Sequence, residues 1–171
     1  LTTTDIEDFL SERQRTLQDA IEDLLVKERL DLPPQLRELD AQIEQVELTL
    51  RHRIQEALDG DVAQLPSHIV QKIDERIQTA ARRNAALDIN YYSTLAGKLE
   101  YADLRELEAT ITSRALWARF VARFVNKETL LKRFGQLAEL RNGIRHSRSV
   151  DEVTSMEGEA AILWFQQVIR N

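Results

Sequence analysis

The sequence predicts an all-α protein: an antiparallel helical bundle with a long N-terminal helical hairpin. Apolar residues recur at helical spacing along nearly the whole chain. Only 5 glycines and 3 prolines occur in 171 residues, whereas a fold of strands and tight turns usually needs more of both. The pattern contains neither alternating strands and helices nor an internal repeat.

The first 60 residues predict two long helices. The first carries one apolar stripe, composed of Ile6, Leu10, Leu17, Ile21 and Leu24. Pro33-Pro34 interrupts this pattern, because the residue before a proline is biased toward extended geometry. A second helix is expected from about Pro34 to Gly60, with an apolar face composed of Leu36, Leu39, Ile43, Val46, Leu50, Ile54 and Leu58. The two segments are typical of an antiparallel hairpin, although their heptad-like spacing also suits a coiled-coil arm.

The rest of the chain predicts shorter helices. We expect them to start at Pro66-Ser67, to span residues 103–111 and 116–125, and to follow an N-cap at Asn126. Residues 88–99 lose the helical period and include a glycine, so we expect a loop or a short turn there. The run from Ser149 to Glu152 fits a capping box that starts the last helix.

The proline break suggests the domain organisation. We expect residues 1–32 to form an N-terminal helix or arm, which could also belong to the bundle, and residues 33–171 to form the main helical domain. The chain begins with Leu1 rather than methionine. We therefore expect it to be a fragment of a larger protein, whose other domains are among its partners.

The composition excludes several classes of protein and site. No cysteine is present, which rules out disulfides and thiolate metal sites. No apolar run approaches the roughly 20 residues that span a membrane, and no signal peptide is visible, so we expect a cytoplasmic protein with no membrane partner. The chain contains no P-loop, G-x-S-x-G or H-E-x-x-H motif. We expect neither a metal nor another cofactor.

Charge is distributed unevenly along the chain, whose net charge is −6. Residues 1–60 hold 7 Lys/Arg against 15 Asp/Glu, and residues 113–148 hold 9 against 2. An acidic protein is a poor general binder of nucleic acid, but a local basic segment can bind phosphate. Within this segment Arg145, Arg148, Lys132 and Arg133 are candidate phosphate-binding residues, although a basic helix end and a solvated surface explain them without a ligand.

Arg141 occupies an unusual position in the helix that follows Asn126. The apolar residues of that helix are Leu130, Leu131, Phe134, Leu137, Leu140 and Ile144. Arg141 comes four residues after Leu137 and seven after Phe134, so it projects from the middle of the apolar stripe. A buried arginine is rare unless its charge is paired or used.

The same helix should continue through Asn142-Gly143, a turn-like pair, and end near Arg145 or His146, because Ile144 stays in phase with the stripe. A structural interpretation accounts for this basic end. Cations near a helix C-terminus interact favourably with the macrodipole, by about 0.3–1 kcal/mol. Arg141 could bury its methylene groups and pair with a carboxylate.

A catalytic interpretation rests on the chemistry of the same side chains. A histidine titrates near neutral pH and can remove or return a proton. A guanidinium supplies fixed charge and paired donors to phosphate oxygens. Because the 2′-OH of RNA is an internal nucleophile, Arg141, Asn142 and His146 could together cleave a phosphodiester without a metal.

The stretch RNGIRH, from Arg141 to His146, resembles the R-x4–6-H motif of HEPN domains (higher eukaryotes and prokaryotes nucleotide-binding). Its setting late in a helical chain, FGQLAELRNGIRHSR after RFVNKETLLKR, is similar to that of the family, and residues 91–111 resemble the upstream part of the same domain. The resemblance is closest to the HEPN-like C-terminal domains of a eukaryotic nuclear mRNA quality-control endonuclease and of large prokaryotic defence proteins. It covers roughly residues 40–171.

The resemblance implies an α-helical bundle that forms a homodimer and places two motifs across a shared cleft. It implies a metal-independent endoribonuclease that leaves a 2′,3′-cyclic phosphate, in RNA processing or in defence against phages or toxins. By this analogy Arg141 would stabilise the phosphate, His146 would act as acid or base, and Asn142 would orient or bind the phosphate. Other HEPN domains are not catalytic, so a dimerisation or binding module is the alternative.

The catalytic interpretation carries one geometric requirement. An ideal helix places Arg141 and His146 about 140° apart. They can converge only if the helix unwinds near His146, which Gly143 would ease, or if they meet across a dimer. A generic helical scaffold, with residues 1–60 as the working arm, is a third hypothesis and does not depend on the motif.

Overall fold

The protein is an all-α helical bundle, as the sequence predicts. The computed structural model describes residues 2–30, 32–147 and 150–170, and these residues contain no strand. Their α-helices are α1 (Thr3–Leu30), α2 (Pro34–Ala57), α3 (Ser67–Arg83), α4 (Leu95–Glu100), α5 (Leu104–Thr112), α6 (Trp117–Phe124), α7 (Lys127–Ser147) and α8 (Glu152–Ile169). The chain divides into two compact units, Leu1–Leu39 and Asp40–Asn171.

The first unit consists largely of α1, whose apolar stripe faces solvent. The side chain of Thr2 caps the start of this helix, because its Oγ1 accepts a hydrogen bond from the N–H of Asp5 at 3.2 Å. The predicted stripe residues Ile6, Leu10, Leu17, Ile21 and Leu24 are between 42% and 63% exposed. Periodicity therefore predicts the helix correctly, while burial of the stripe does not follow from it.

From Asp40 onward, α2 supplies one wall of the core of the second unit. The predicted apolar face is confirmed, because Ile43, Val46, Leu50, Ile54 and Leu58 are at most 2% exposed. The helix ends at Ala57, and Gly60 follows with a φ of +69°. Glycine adopts this left-handed conformation without a steric penalty, which explains why the helix ends close to the predicted residue.

Residues 88–99 require a correction to the sequence prediction. Instead of a loop or short turn, this segment contains the 3-10 helix Tyr91–Ser93 and all of α4 except its last residue, Glu100. Thr94 caps α4, since its Oγ1 accepts a hydrogen bond from the N–H of Gly97 at 3.1 Å. A Cβ on Gly97 would overlap the carbonyl oxygen of Tyr91, so glycine is needed for this close approach. With six residues, α4 is too short to display a helical period.

A buried carboxylate joins α3 to α5. Asp103 and Glu106 form a capping box at the start of α5. Arg76 of α3 donates to both carboxylate oxygens of Glu106, with Nη2 at 3.0 Å from Oε2, and to the carbonyl oxygen of Tyr101 at 2.7 Å. Burial raises the pKa of Glu106, but hydrogen bonds from Arg76 and from the N–H of Asp103 outweigh burial and lower that pKa below its ordinary value.

Replacing Glu106 with glutamine removes the charge and keeps a side chain that can complete the capping box. Because the folded-state pKa is lowered, the carboxylate stabilises the fold above the pKa of an unfolded glutamate, about 4.3. That contribution is lost as the pH falls through the folded-state pKa. We expect E106Q to lower the free energy of unfolding by about 1–2 kcal/mol at neutral pH, and the gap to close in more acidic buffer.

Urea titrations of wild type and E106Q, at neutral pH and in the more acidic buffer, measure the difference in the free energy of unfolding. E108Q on the same helix is the matched control, because Glu108 pairs with the more exposed Arg105, whose side chain is 56% exposed. A stability gap for E106Q that is equal at both pH values would contradict the assigned role of the charge.

A strained turn joins α6 to α7. Val125 adopts φ +62° and ψ −55°, a conformation that is unfavourable for a β-branched residue. Across it, the N–H of Asn126 donates to the carbonyl oxygen of Phe124 at 2.6 Å, which closes a three-residue γ-turn. Asn126 then acts as the predicted cap, since its Oδ1 accepts from the N–H of Thr129 at 2.9 Å. The turn thus fixes the start of the helix that carries Arg141.

The last helix, α8, packs against α7. Gly158 is buried at this contact, and a Cβ there would lie 2.5 Å from the Cβ of Leu140. The start of α8 is capped by Asp151, whose Oδ1 accepts from the N–H of Thr154 at 2.9 Å. Ser149, the predicted capping-box residue, lies outside the described residues.

Two arginines secure the other end of α8. Nη2 of Arg53, from α2, donates to the carbonyl oxygen of Ile169 at 2.8 Å, and Arg123, from α6, donates to that of Val168 at 3.2 Å. The last carbonyls of a helix have no partner within the helix, so these side chains satisfy them. Burial and the neighbouring charge of Arg53 lower the pKa of Arg123.

Candidate functional site

The basic end of α7 contains the residues that the sequence singles out. The helix continues through Asn142-Gly143, as predicted, and extends to Ser147. Leu137, Leu140 and Ile144 are at most 1% exposed, which confirms that the apolar stripe stays in phase across this pair. The side chain of Arg141 is 22% exposed, so most of it is withdrawn from solvent, as its place on the stripe predicts.

Arg141 pairs with a buried carboxylate of α2. Its Nε lies 2.9 Å from Oε1 of Glu47, whose side chain is 5% exposed. The N–H does not point along the line to this oxygen, so the contact is an ion pair rather than a hydrogen bond. Oε2 of Glu47 accepts from Nη2 of Arg51 at 3.3 Å, and the same nitrogen donates to the carbonyl oxygen of Ala102 at 3.0 Å. Glu47 therefore lies between two arginines and links α2 with α7.

One turn further along α7, Arg145 approaches two other carboxylates of α2. Its Nε lies 3.6 Å from Oδ1 of Asp40, and its Nη2 lies 3.8 Å from Oε1 of Glu44. The side chain of Asp40 is 6% exposed, whereas that of Glu44 is 49% exposed. With the Glu47 pair, these contacts form a ladder of charges between antiparallel helices, because later residues of α7 meet earlier residues of α2.

Asn142 and His146 lie on a different face of α7. Both residues are exposed, and their spacing of four places them one above the other on the helix surface. His146 therefore points away from Arg141, since five residues of a continuous helix turn the chain by about 140°. The structure thus separates the motif into two parts. The amide of Asn142 and the imidazole of His146 are exposed on one face of α7, and the guanidinium of Arg141 is paired with Glu47 on another.

The other predicted phosphate-binding residues are dispersed. Lys132 is exposed, and Nη1 of Arg133 donates to Oε1 of Gln136 on the same helix at 3.2 Å. Both lie more than one turn before Arg141. Arg148 lies outside the described residues.

Sequence reasoning missed Glu47 and Asp40, the acidic half of the ladder. The sequence does contain a signal for these two residues. They are seven residues apart and lie within the apolar stripe of α2, next to Val46 and Leu39 respectively. Like Arg141, each of these two carboxylates is a charged group on an apolar stripe, where burial is costly unless the charge is paired. Two such anomalies on two helices indicate that the helices meet there.

The chemical capacity of the site follows from this geometry. The exposed imidazole of His146 can exchange a proton with a substrate, and the amide of Asn142 can bind a phosphate oxygen. Arg141 can contribute fixed positive charge at a position that Glu47 and Arg51 define. In the described part of the chain, no group of histidines and carboxylates is arranged to hold a metal ion.

Comparisons with known proteins leave this site without a template. No family model, no curated protein and no solved structure matches the chain. Among the helices of the described residues, none combines the length and the apolar character needed to cross a membrane.

Proposed function

We propose that this chain is a metal-independent endoribonuclease domain of the HEPN type, which cleaves RNA as a homodimer in RNA processing or in defence against phages or toxins. The observation that carries the proposal is the end of α7. There Asn142 and His146 are exposed one above the other, next to an arginine that an ion pair holds in place. These residue types, in this order, form the R-x4–6-H motif.

The proposed reaction is an intramolecular attack on the phosphodiester. The 2′-OH attacks phosphorus, the bond from phosphorus to the 5′-oxygen breaks, and a 2′,3′-cyclic phosphate forms. His146 of one copy takes the proton from the 2′-OH, and the imidazole of the other copy returns a proton to the leaving 5′-oxygen. Two copies are needed because Arg141 and His146 of a single α7 diverge, so a facing motif completes the site.

The ion pair of Arg141 favours a second candidate function. Because Nε of Arg141 lies 2.9 Å from the buried carboxylate of Glu47, much of its charge is neutralised within the fold. A guanidinium with this structural role is expected in a non-catalytic HEPN-like module that drives dimerisation or binds a protein or nucleotide. The two candidates share the fold and the dimer, and they differ in whether RNA is cleaved.

His146 offers a cleaner test of catalysis than Arg141. Removal of Arg141 would leave Glu47 without one of its two partners, so a loss of activity could reflect a loss of folding. His146 is exposed, and its replacement by alanine should leave stability within about 0.5 kcal/mol. We expect H146A to cleave single-stranded RNA in EDTA at least about 100-fold more slowly than wild type.

The matched control is H52A, which removes an exposed histidine from α2 and should leave cleavage unchanged. Mass spectrometry of the product should detect the 2′,3′-cyclic phosphate. A wild-type dimer that does not cleave RNA would favour the binding module. Equal cleavage by wild type and H146A would rule out the assigned role of His146.

A further inference from the structure

The last helix, α8, has apolar residues on two opposite faces. One face is buried in the bundle through Gly158, Ala161, Ile162, Phe165 and Ile169. The other consists of Val153, Met156, Ala160 and Leu163, which we call the outer stripe, and all four are exposed. Val153 and Met156 are 64% exposed and Leu163 is 55% exposed. A helix that is apolar on both faces is usually covered on both.

The spacing of the outer stripe is suited to a second helix. Its residues follow one another at steps of three, four and three, which places them in one row on the side of α8 opposite the buried face. This is the spacing by which one helix packs along another. Leu163 also borders a groove between α2 and α8 that is lined by Gln45, Thr49 and Gln166, so the row continues into a concave surface.

Carboxylates flank the outer stripe on both sides. At 100° per residue, Glu157 lies along one edge, and Glu152 and Glu159 lie along the other. In the described part of the chain, none of these three carboxylates forms an ion pair. Within the described stretch from Val150 to Arg170, which contains α8, the single basic residue is Arg170, just beyond the end of the helix. The surface is therefore apolar along its centre and negative along its edges.

We propose that the outer stripe of α8 is a docking surface for a basic amphipathic helix of a partner protein. An apolar row on such a helix would cover Val153, Met156 and Leu163, and lysines or arginines beside that row would pair with the flanking carboxylates. A second copy of α8 fits less well, because two-fold pairing would bring acidic edges together. An anionic membrane surface is disfavoured by the same charges.

Two synthetic helical peptides test this proposal on the full chain. Both are as long as α8 and carry leucines at the spacing of the outer stripe; one has lysines beside the leucines and the other has glutamates. We expect fluorescence anisotropy to detect saturable binding of the lysine peptide and no binding of the glutamate peptide. The double variant M156Q/L163Q should bind it at least about tenfold more weakly, and so should E157Q/E159Q.

The matched control is L131Q/E139Q, which makes the same two kinds of change on exposed positions of α7 and should bind as wild type does. Circular dichroism establishes that every variant remains folded. Equal binding of both peptides, or undiminished binding by M156Q/L163Q, would overturn the proposal. Self-association of the chain that M156Q/L163Q abolishes would also overturn it, because a second copy would then cover the stripe.

Discussion

Replacement of Gly158 by alanine is expected to destabilise the bundle by about 3 kcal/mol, at the upper end of the range for overpacking. The added Cβ would lie 2.5 Å from both Cβ and Cδ2 of Leu140. Leu140 is fully buried, so its side chain has no space into which it can turn. Relief requires α7 and α8 to separate, which would disturb the packing between Phe134 and Phe165, whose rings are 5.0 Å apart.

Gly135 provides the matched control for this substitution. It also lies within a helix, but a Cβ there would meet no atom within 4 Å. G135A should therefore stabilise the protein by about 0.5–1 kcal/mol, because alanine loses less conformational freedom than glycine in a helix. Urea unfolding midpoints of the two variants should move in opposite directions. A G158A variant as stable as wild type would show that α7 and α8 do not approach so closely.

Replacement of Glu47 by glutamine should also have a large effect, about 2–3 kcal/mol of lost stability. The amide has nearly the shape of the carboxylate but leaves the charges of Arg141 and Arg51 without their shared partner. Removal of one member of a buried ion pair costs more than the pair contributes, because the remaining charge is desolvated. Both arginine side chains are 22% exposed, so solvent reduces this cost below that of a fully buried charge.

E44Q is the control, since Glu44 is on the same helix and its side chain is 49% exposed. Its effect on the free energy of unfolding should be below about 0.5 kcal/mol. A double-mutant cycle of E47Q with R141Q isolates the pair, and we expect a coupling energy of at least about 1 kcal/mol. Independent effects of the two substitutions would mean that the ion pair between α2 and α7 is not formed.

The elements that the sequence predicted well are those with long, regular patterns. In α2, a single apolar face extends over six turns, so both the helix and its buried apolar residues could be predicted from the spacing. The segment 88–99 was predicted wrongly because α4 is held by a local cap from Thr94 and by the close approach of Gly97 to Tyr91. Neither feature produces a periodic signal. The exposure of the apolar stripe on α1 could not be predicted either, because the spacing of apolar residues does not indicate whether another part of the protein packs against them.

The candidate site was predicted in part for the same reason. Arg141 stood out because it interrupts a strict pattern, and the structure bears out its withdrawal from solvent. Its partner Glu47 is 94 residues away in sequence, and which carboxylate meets it depends on how α2 and α7 pack. Only tertiary structure contains that information. The roles of His146 and Asn142 in catalysis stay predictions until RNA cleavage is measured.

The continuity of α7 through Asn142-Gly143 has a consequence for chemical durability. Spontaneous deamidation of asparagine begins when the backbone nitrogen of the next residue attacks the side-chain amide, and glycine in that position offers little steric resistance. Helical geometry holds this nitrogen away from the amide carbon. Deamidation of Asn142 should therefore be slow while α7 is intact. Aspartate or isoaspartate at residue 142 would accumulate only in molecules in which this part of α7 had unfolded.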